Sequence, residues 1–204
     1  MMISAGNSSN SSNQALQPVA IGMLSSSPIG PLWVALSDMG LMVVDWSMTQ
    51  SEFTHKLQKR FNMYVVYDKT RTEESLHQLS EYLAGIRRQF TISLDLTRMS
   101  PFQSQVLQLT SDIPYGQTST YKEIAARIGN PRAARAVGRV EATNPIPFII
   151  PCHRVIGSDG SLHGYAGPGG INLKSWLLKL EQAWDNKFLR VDARRNLLSI
   201  RAIP

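Results

Sequence analysis

The residues of this chain best suited to chemistry lie in Pro151-Cys152-His153-Arg154-Val155. Cys152 is the only cysteine in 204 residues, so it cannot form an internal disulfide or build a multi-cysteine metal site. It is then either a small buried hydrophobe or a nucleophile. The surroundings suit the second role. Pro147 and Pro151 stiffen the approach, the apolar run Phe148-Ile149-Ile150 leads in, and an imidazole and a guanidinium follow at once. A thiol held in a partly dry, electropositive place is one whose thiolate is favoured and can react.

A second group lies upstream. Placed on a helix at about 100° per residue, Ala133, Val137 and Val140 share an inward side, while Arg132, Arg135 and Arg139 fall within about 60° of one another on another side. Small Ala134 and Gly138 flank the arginines. Aligned guanidinium groups beside small residues let a helix backbone approach a phosphate-lined groove closely. A helix merely exposed to water would more often mix Glu with Lys.

The elements that must position these residues are legible in the punctuation. Ser100-Pro101-Phe102-Gln103 offers an N-cap Ser, Pro at the first helical position and Gln three after the cap, predicting a helix to about Asp112. Thr120-Tyr121-Lys122-Glu123 repeats the capping box ahead of Ile124 to Ile128, Gly129 can end that helix left-handed, and Asn130-Pro131 can cap and start the next. Two helices so joined make a helix-turn-helix or an ordinary αα-hairpin. Upstream, the runs at 19–23, 32–36 and 41–46, separated by turn residues at 27–31 and 38–40, predict an antiparallel meander. Helices near 50–60 and 73–88 enclose a short strand from Met63 to Tyr67. That half has only His55 and His77, without metal-ligand spacing, and reads as scaffold. Residues 1–17 are Ser/Asn-rich with few apolar anchors and read as a disordered tail. The expected organisation is that tail, an α/β scaffold domain over 18–98, a mainly helical domain over 99–185, and an extension over 186–204.

Charge is distributed unevenly. Residues 1–98 carry eight Lys/Arg against eight Asp/Glu, and residues 99–204 carry thirteen against seven, which is the whole net charge of +6. A basic half holding the cysteine suggests a polyanionic partner, nucleic acid first. No apolar run approaches the roughly 18 residues of a membrane span, no signal peptide is evident, and one unpaired cysteine suits a reducing compartment. A cytoplasmic protein without membrane contact is expected.

With those residues in hand, the chain resembles the O6-alkylguanine-DNA alkyltransferases, also called methylated-DNA–protein-cysteine methyltransferases. The resemblance is strong over 100–184. It rests on Pro-Phe-Gln-x-x-Val-Leu (101–107), Ile-Pro-Tyr-Gly-x-x-x-x-Tyr (113–121), Gly-Asn-Pro-Arg-Ala-Ala-Arg-Ala-Val-Gly (129–138), Asn-Pro-Ile-Pro (144–147), Ile-Pro-Cys-His-Arg-Val-Ile (150–156) and Trp-Leu-Leu-x-x-Glu (176–181). It implies an α+β fold of two domains: a ribonuclease-H-like α/β domain carrying the meander, then a mainly helical domain with a winged-helix-like helix-turn-helix. It also implies a suicide reaction on double-stranded alkylated DNA, in which the Cys152 thiolate takes the alkyl group from guanine O6 and is not regenerated. O4-methylthymine is a second candidate substrate.

The resemblance assigns further roles. His153 activates the thiol; because neighbours in an extended segment point to opposite sides, a bridging water is the natural link. Glu181 orients the His153 ring, and Asn144 braces the turn between recognition helix and active-site strand. Tyr121 reaches guanine N3 as a donor. Arg135 enters the duplex in place of a flipped base, since O6 of a stacked guanine cannot meet a buried thiol in line. Arg132, Ala133, Ala134 and Gly138 belong to the DNA-binding surface, docked in the minor groove. Tyr165 walls the base pocket, with Val155, Ala166 and Pro147 beside it. No cofactor and no metal are implied, and the acting species is expected to be a monomer.

The chain departs from the family pattern in three places. Gly167-Pro168-Gly169-Gly170 adds two residues to a pocket loop, so tolerance of bulky alkyl groups is open. Glu141 puts an acid late in the recognition helix, where it is expected to weaken DNA contact. The extension at 186–204, with Arg190, Arg194 and Arg195, reads as a strand or as an arm reaching DNA. Two other classes compete. A cysteine hydrolase would use Cys and His but lacks a matching signature here. A non-catalytic DNA-binding module could share the helix-turn-helix, although alkyltransferase-like modules lack the reactive cysteine.

Overall fold

The computed structural model describes residues 18–165 and 167–182; the 1–17 segment, Ala166 and the 186–204 extension lie outside the described residues. Strands β1 (Val19–Leu24), β2 (Leu32–Ser37) and β3 (Gly40–Trp46) form the antiparallel meander. Strand β4 (Val65–Tyr67) adds parallel to β1, giving the order β3-β2-β1-β4. The first three strands are buried along most of their length because both faces are covered, which is why they are nearly continuously apolar. Val19, Ile21, Trp33, Ala35 and Val43 pack with Phe53 and Leu57 of helix α1 (Gln50–Phe61). Leu32, Val34, Leu41 and Val44 join helix α2 (Lys69–Leu83) and the second half of the chain in one continuous core.

Three sequence boundaries move. Helix α2 begins at Lys69 rather than near 73, because the Asp68 carboxylate caps the Arg71 N–H at 3.0 Å. It stops at Leu83 rather than 88, and Gly85 follows at a φ of 76°. The strand starts at Val65 rather than Met63, since Asn62 closes α1 in the left-handed region.

In the second half, helix α3 (Pro101–Ser111) has the Ser100–Gln103 capping box and helix α4 (Tyr121–Arg127) the Thr120–Glu123 box. Gly129 takes a φ of 77°, the left-handed turn between helices. Pro131–Ala133 then form a 3-10 turn, and helix α5 proper is Ala134–Ala142. Asn130 supplies no side-chain cap, so Arg132 and Ala133 sit in the tighter turn and leave the 100° helical register assumed for them. Strands β5 (Ser119–Thr120) and β6 (Val155–Ile156) pair in parallel, and helix α6 (Gly170–Leu180) follows. This mixed α/β structure with a helical second half is the fold the sequence predicts.

The halves are joined through β3 and α2. The Val44 N–H donates to the Pro145 carbonyl at 2.8 Å, and the Trp46 ring packs 5.1 Å from that of Phe148. Helix α2 reaches β1 closely only because Gly22 has no side chain: a Cβ there would overlap Thr72 Oγ1. Gly22→Ala should therefore destabilise the fold by about 1–3 kcal/mol, read as a lower midpoint in urea unfolding.

Candidate active site

Asn144 organises the approach to the thiol. Its Oδ1 accepts from the Ile146 N–H at 3.0 Å and its Nδ2 donates to the Ile150 carbonyl at 2.8 Å. These bonds close the loop from Asn144 to Ile150, within which Phe148 is held at a φ of 73°. Cys152–Arg154 then form a single 3-10 turn. The extended segment expected there is absent, yet successive side chains of the turn still diverge, by about 120°. Cys152 is 6% exposed and His153 fully buried.

Behind the thiol lies a buried charged cluster. His153 Nε2 sits 2.9 Å from Glu181 Oε1. Arg154 donates Nε to Glu181 Oε2 at 2.8 Å and Nη2 to Oε1 at 2.9 Å. The Tyr82 hydroxyl donates to the same Oε1 at 2.5 Å and stands 3.2 Å from His153 Nε2. Burial pushes the Glu181 carboxyl up, but hydrogen bonds from His153 and Arg154 outweigh it and bring the pKa down to about 2. Burial lowers the pKa of His153, so the ring is neutral. An ionised Glu181 requires the hydrogen on Nε2, leaving Nδ1 as an acceptor with no partner among the described residues.

Contrary to the expectation of a favoured thiolate, the thiol itself is protonated at rest. Burial raises its pKa to about 12, Glu141 adds to the rise, and Asn144, Lys174 and Tyr165 oppose it. Cys152, Asn144, Pro147, Glu141 and Tyr165 line a cavity of about 530 Å³. A second cavity of about 540 Å³ is lined by Tyr121, Ala134, Arg135, Gly138 and Tyr165, so Tyr165 is common to both. Gly138 brings α5 against the Tyr121 ring, which a Cβ would touch at 3.8 Å. Burial lifts the Tyr121 hydroxyl to about 12, keeping it a donor. Arg132, Arg135 and Arg139 are exposed. Val155 is buried, its carbonyl accepting from Lys174. Arg132 and Ala133 line neither cavity, and Ala166 lies outside the described residues.

Several participants escaped sequence reasoning. Tyr82 comes from the half read as scaffold. Lys174 is buried on α6, donating to the carbonyls of Val155 at 2.6 Å and Leu162 at 2.7 Å, with the Tyr121 hydroxyl at 3.5 Å; burial lowers its pKa to about 8. Its signal was a lysine little more than one turn into an otherwise apolar helix face. Glu141 does not weaken an outer surface: it points inward and accepts from Thr110 Oγ1 at 2.5 Å. It lies four residues after Val137, hence on the inward side of α5. The extra loop residues dock on the sheet, with Trp46 Nε1 donating to the Pro168 carbonyl at 3.2 Å.

Two family models cover most of the chain: "6-O-methylguanine DNA methyltransferase, ribonuclease-like domain" over residues 23–96 and its "DNA binding domain" over 101–183. Among relatives, the chain is 44% identical to a methylated-DNA–protein-cysteine methyltransferase of Methanosarcina barkeri, over 76% of this chain and 93% of that one. It is 41% identical to the one from Mycobacterium bovis, over 77% and 89%. The crystal structure of Mycobacterium tuberculosis OGT in complex with DNA aligns with a TM-score of 0.67 at 40% identity, covering 81% of this chain and 94% of that one. The chain belongs to the 6-O-methylguanine DNA methyltransferase family.

Because the folded-state pKa of Glu181 lies below its ordinary 4.5, its contribution to stability is complete above about pH 4.5 and drains as pH falls toward 2. Glu181→Gln strips the carboxylate from buried Arg154 and should cost about 3–5 kcal/mol at neutral pH. In denaturant melts the gap to the unmodified protein should narrow from pH 5 downward.

Proposed function

We propose that this protein repairs O6-alkylguanine in double-stranded DNA by transferring the alkyl group irreversibly to Cys152, once per molecule. The observation that carries this reading is a buried thiol facing a cavity, with a neutral His153 whose Nε2 is tied to Glu181, beside an arginine-bearing helix of the helix-turn-helix. In the reaction the Cys152 Sγ–carbon bond forms as the carbon–O6 bond breaks, and the electron pair leaves with guanine. The thiol proton passes through a water to His153 Nδ1, since a thiol near pKa 12 must be deprotonated as it reacts. Tyr121 donates toward guanine N3, countering charge on the leaving base.

DNA docks on α5 and the preceding turn, with Arg132, Ala133, Ala134 and Gly138 at the minor groove and Arg135 filling the space of the extruded base. Tyr165, Pro147, Val155 and Ala166 surround that base. Nothing in the step calls for a metal or cofactor. The related Mycobacterium tuberculosis OGT crystallised in complex with DNA, which supports the same partner here. No described helix is long and apolar enough to cross a membrane. Within this proposal the chain works as a monomer in the cytoplasm, a reducing compartment suited to an unpaired thiol.

Incubation with a duplex holding one O6-methylguanine should add a single methyl to Cys152, seen by intact mass, with at most one turnover; repeated turnover, or repair without an adduct, would sink the reading. Cys152→Ser should abolish transfer yet keep DNA affinity. Arg135→Ala should slow repair in duplex far more than transfer from the free modified base, and equal slowing of both would refute extrusion by this residue.

A further inference from the structure

Glu141 is the one carboxyl that lines the thiol cavity, and the reaction above leaves it unused. Its side chain is 5% exposed. Oε1 is satisfied by Thr110, whereas Oε2 is buried with no partner among the described residues. A buried carboxyl oxygen without a donor is costly, and here it belongs to a residue lining the cavity that holds Cys152, so its charge is felt inside that cavity.

The charged and titratable groups around Glu141 come from several elements. Cys152 is on the 3-10 turn, Tyr121 on α4 and Lys174 on α6, each within electrostatic reach. Tyr165, Lys56 and Arg60 line the same cavity. Lys174 is committed to the carbonyls of Val155 and Leu162. Lys56, half exposed, is paired with Asp45, and the Arg60 guanidinium lies 5.0 Å from the centre of the Phe61 ring. None of these cations bonds Oε2. Burial raises the Glu141 pKa to about 7, with the Thr110 bond and Lys174 pulling the other way, so the group changes charge near neutral pH.

We propose that Glu141 selects among O6 adducts by charge: from the wall of the cavity its carboxylate favours adducts ending in an ammonium and repels those ending in a carboxylate. The inference rests on the alkyl-transfer reading. Glu141 forms no covalent bond in the step; the Sγ–carbon bond still forms as carbon–O6 breaks. As pH rises through the Glu141 range the carboxylate appears, anionic adducts are repelled, and thiolate formation is opposed for every adduct.

The test compares single-turnover rates on duplexes carrying O6-methyl-, O6-(2-hydroxyethyl)- or O6-carboxymethylguanine, from about pH 6 to about pH 8.5, spanning the titration. The proteins are the unmodified chain, Glu141→Gln, which keeps the Thr110 bond, and Glu141→Met, which keeps only the volume. In the unmodified protein the methyl-to-carboxymethyl rate ratio should grow on the order of tenfold across this range, and in both variants it should stay flat. The hydroxyethyl adduct is uncharged and should behave as methyl does in all three proteins. A ratio independent of pH in the unmodified protein, or equal in all three, overturns the proposal. If no protein gains an alkyl group, the transfer reading itself has failed and the selectivity falls with it. The rate of Cys152 alkylation by iodoacetamide then separates the two failures: a ratio of Glu141→Gln to unmodified rate that does not rise with pH shows Glu141 electrostatically silent as well.

Discussion

The structure turns on one buried carboxylate. Glu181 accepts from Tyr82 on α2, from His153 and Arg154 on the 3-10 turn, and at 3.4 Å from the Gly116 N–H after α3. A carboxylate this deeply buried is tolerable only when its lone pairs are taken by charged or strong donors. Satisfying it therefore dictates where three separate stretches of chain must lie. The same requirement leaves the imidazole with one tautomer, because Nε2 must donate, and so turns Nδ1 into the free acceptor. A folding constraint and a chemical one are met by the same bonds.

That arrangement explains why the first half of the chain is more than a pedestal. Tyr82 crosses into the second half to share the Glu181 oxygen, and Trp46 meets both Phe148 and the Pro168 carbonyl. The sheet thus supports the turn before the thiol and the loop after it. A reactive group that is used once gains from such support. Held protonated by burial, the thiol resists oxidation at rest, and any transfer to it must draw that proton off.

What could be read from sequence was whatever is encoded locally. Ser100-Pro101-Phe102-Gln103 and Thr120-Tyr121-Lys122-Glu123 specify their helix starts within four residues, and Gly129 marks its own left-handed turn. The strands were legible because covered faces demand apolar runs. The ends of α2 were not, because Asp68 as a cap competes with other polar residues for that role. Tyr82 was invisible for a different reason: nothing within its helix distinguishes a buried Tyr from a packed one, and its partner lies 99 residues away. Lys174 and Glu141 were similarly hidden, since their meaning depends on which wall of a cavity they face.

Glu141 shows how a misreading of this kind arises. A charge on a recognition helix is naturally assigned to the partner's surface, and in α5 the arginines do lie outward. But the hydrophobic side of a helix is a direction, not a composition, and position 141 shares the direction of Val137. Once inward, the carboxyl cannot act as a surface repellent, because the helix itself stands between it and any docked backbone. Its influence is confined to the cavity, where low polarity enlarges it. The carboxyl lines the cavity that holds Cys152, where it raises the thiol pKa and Lys174 opposes it.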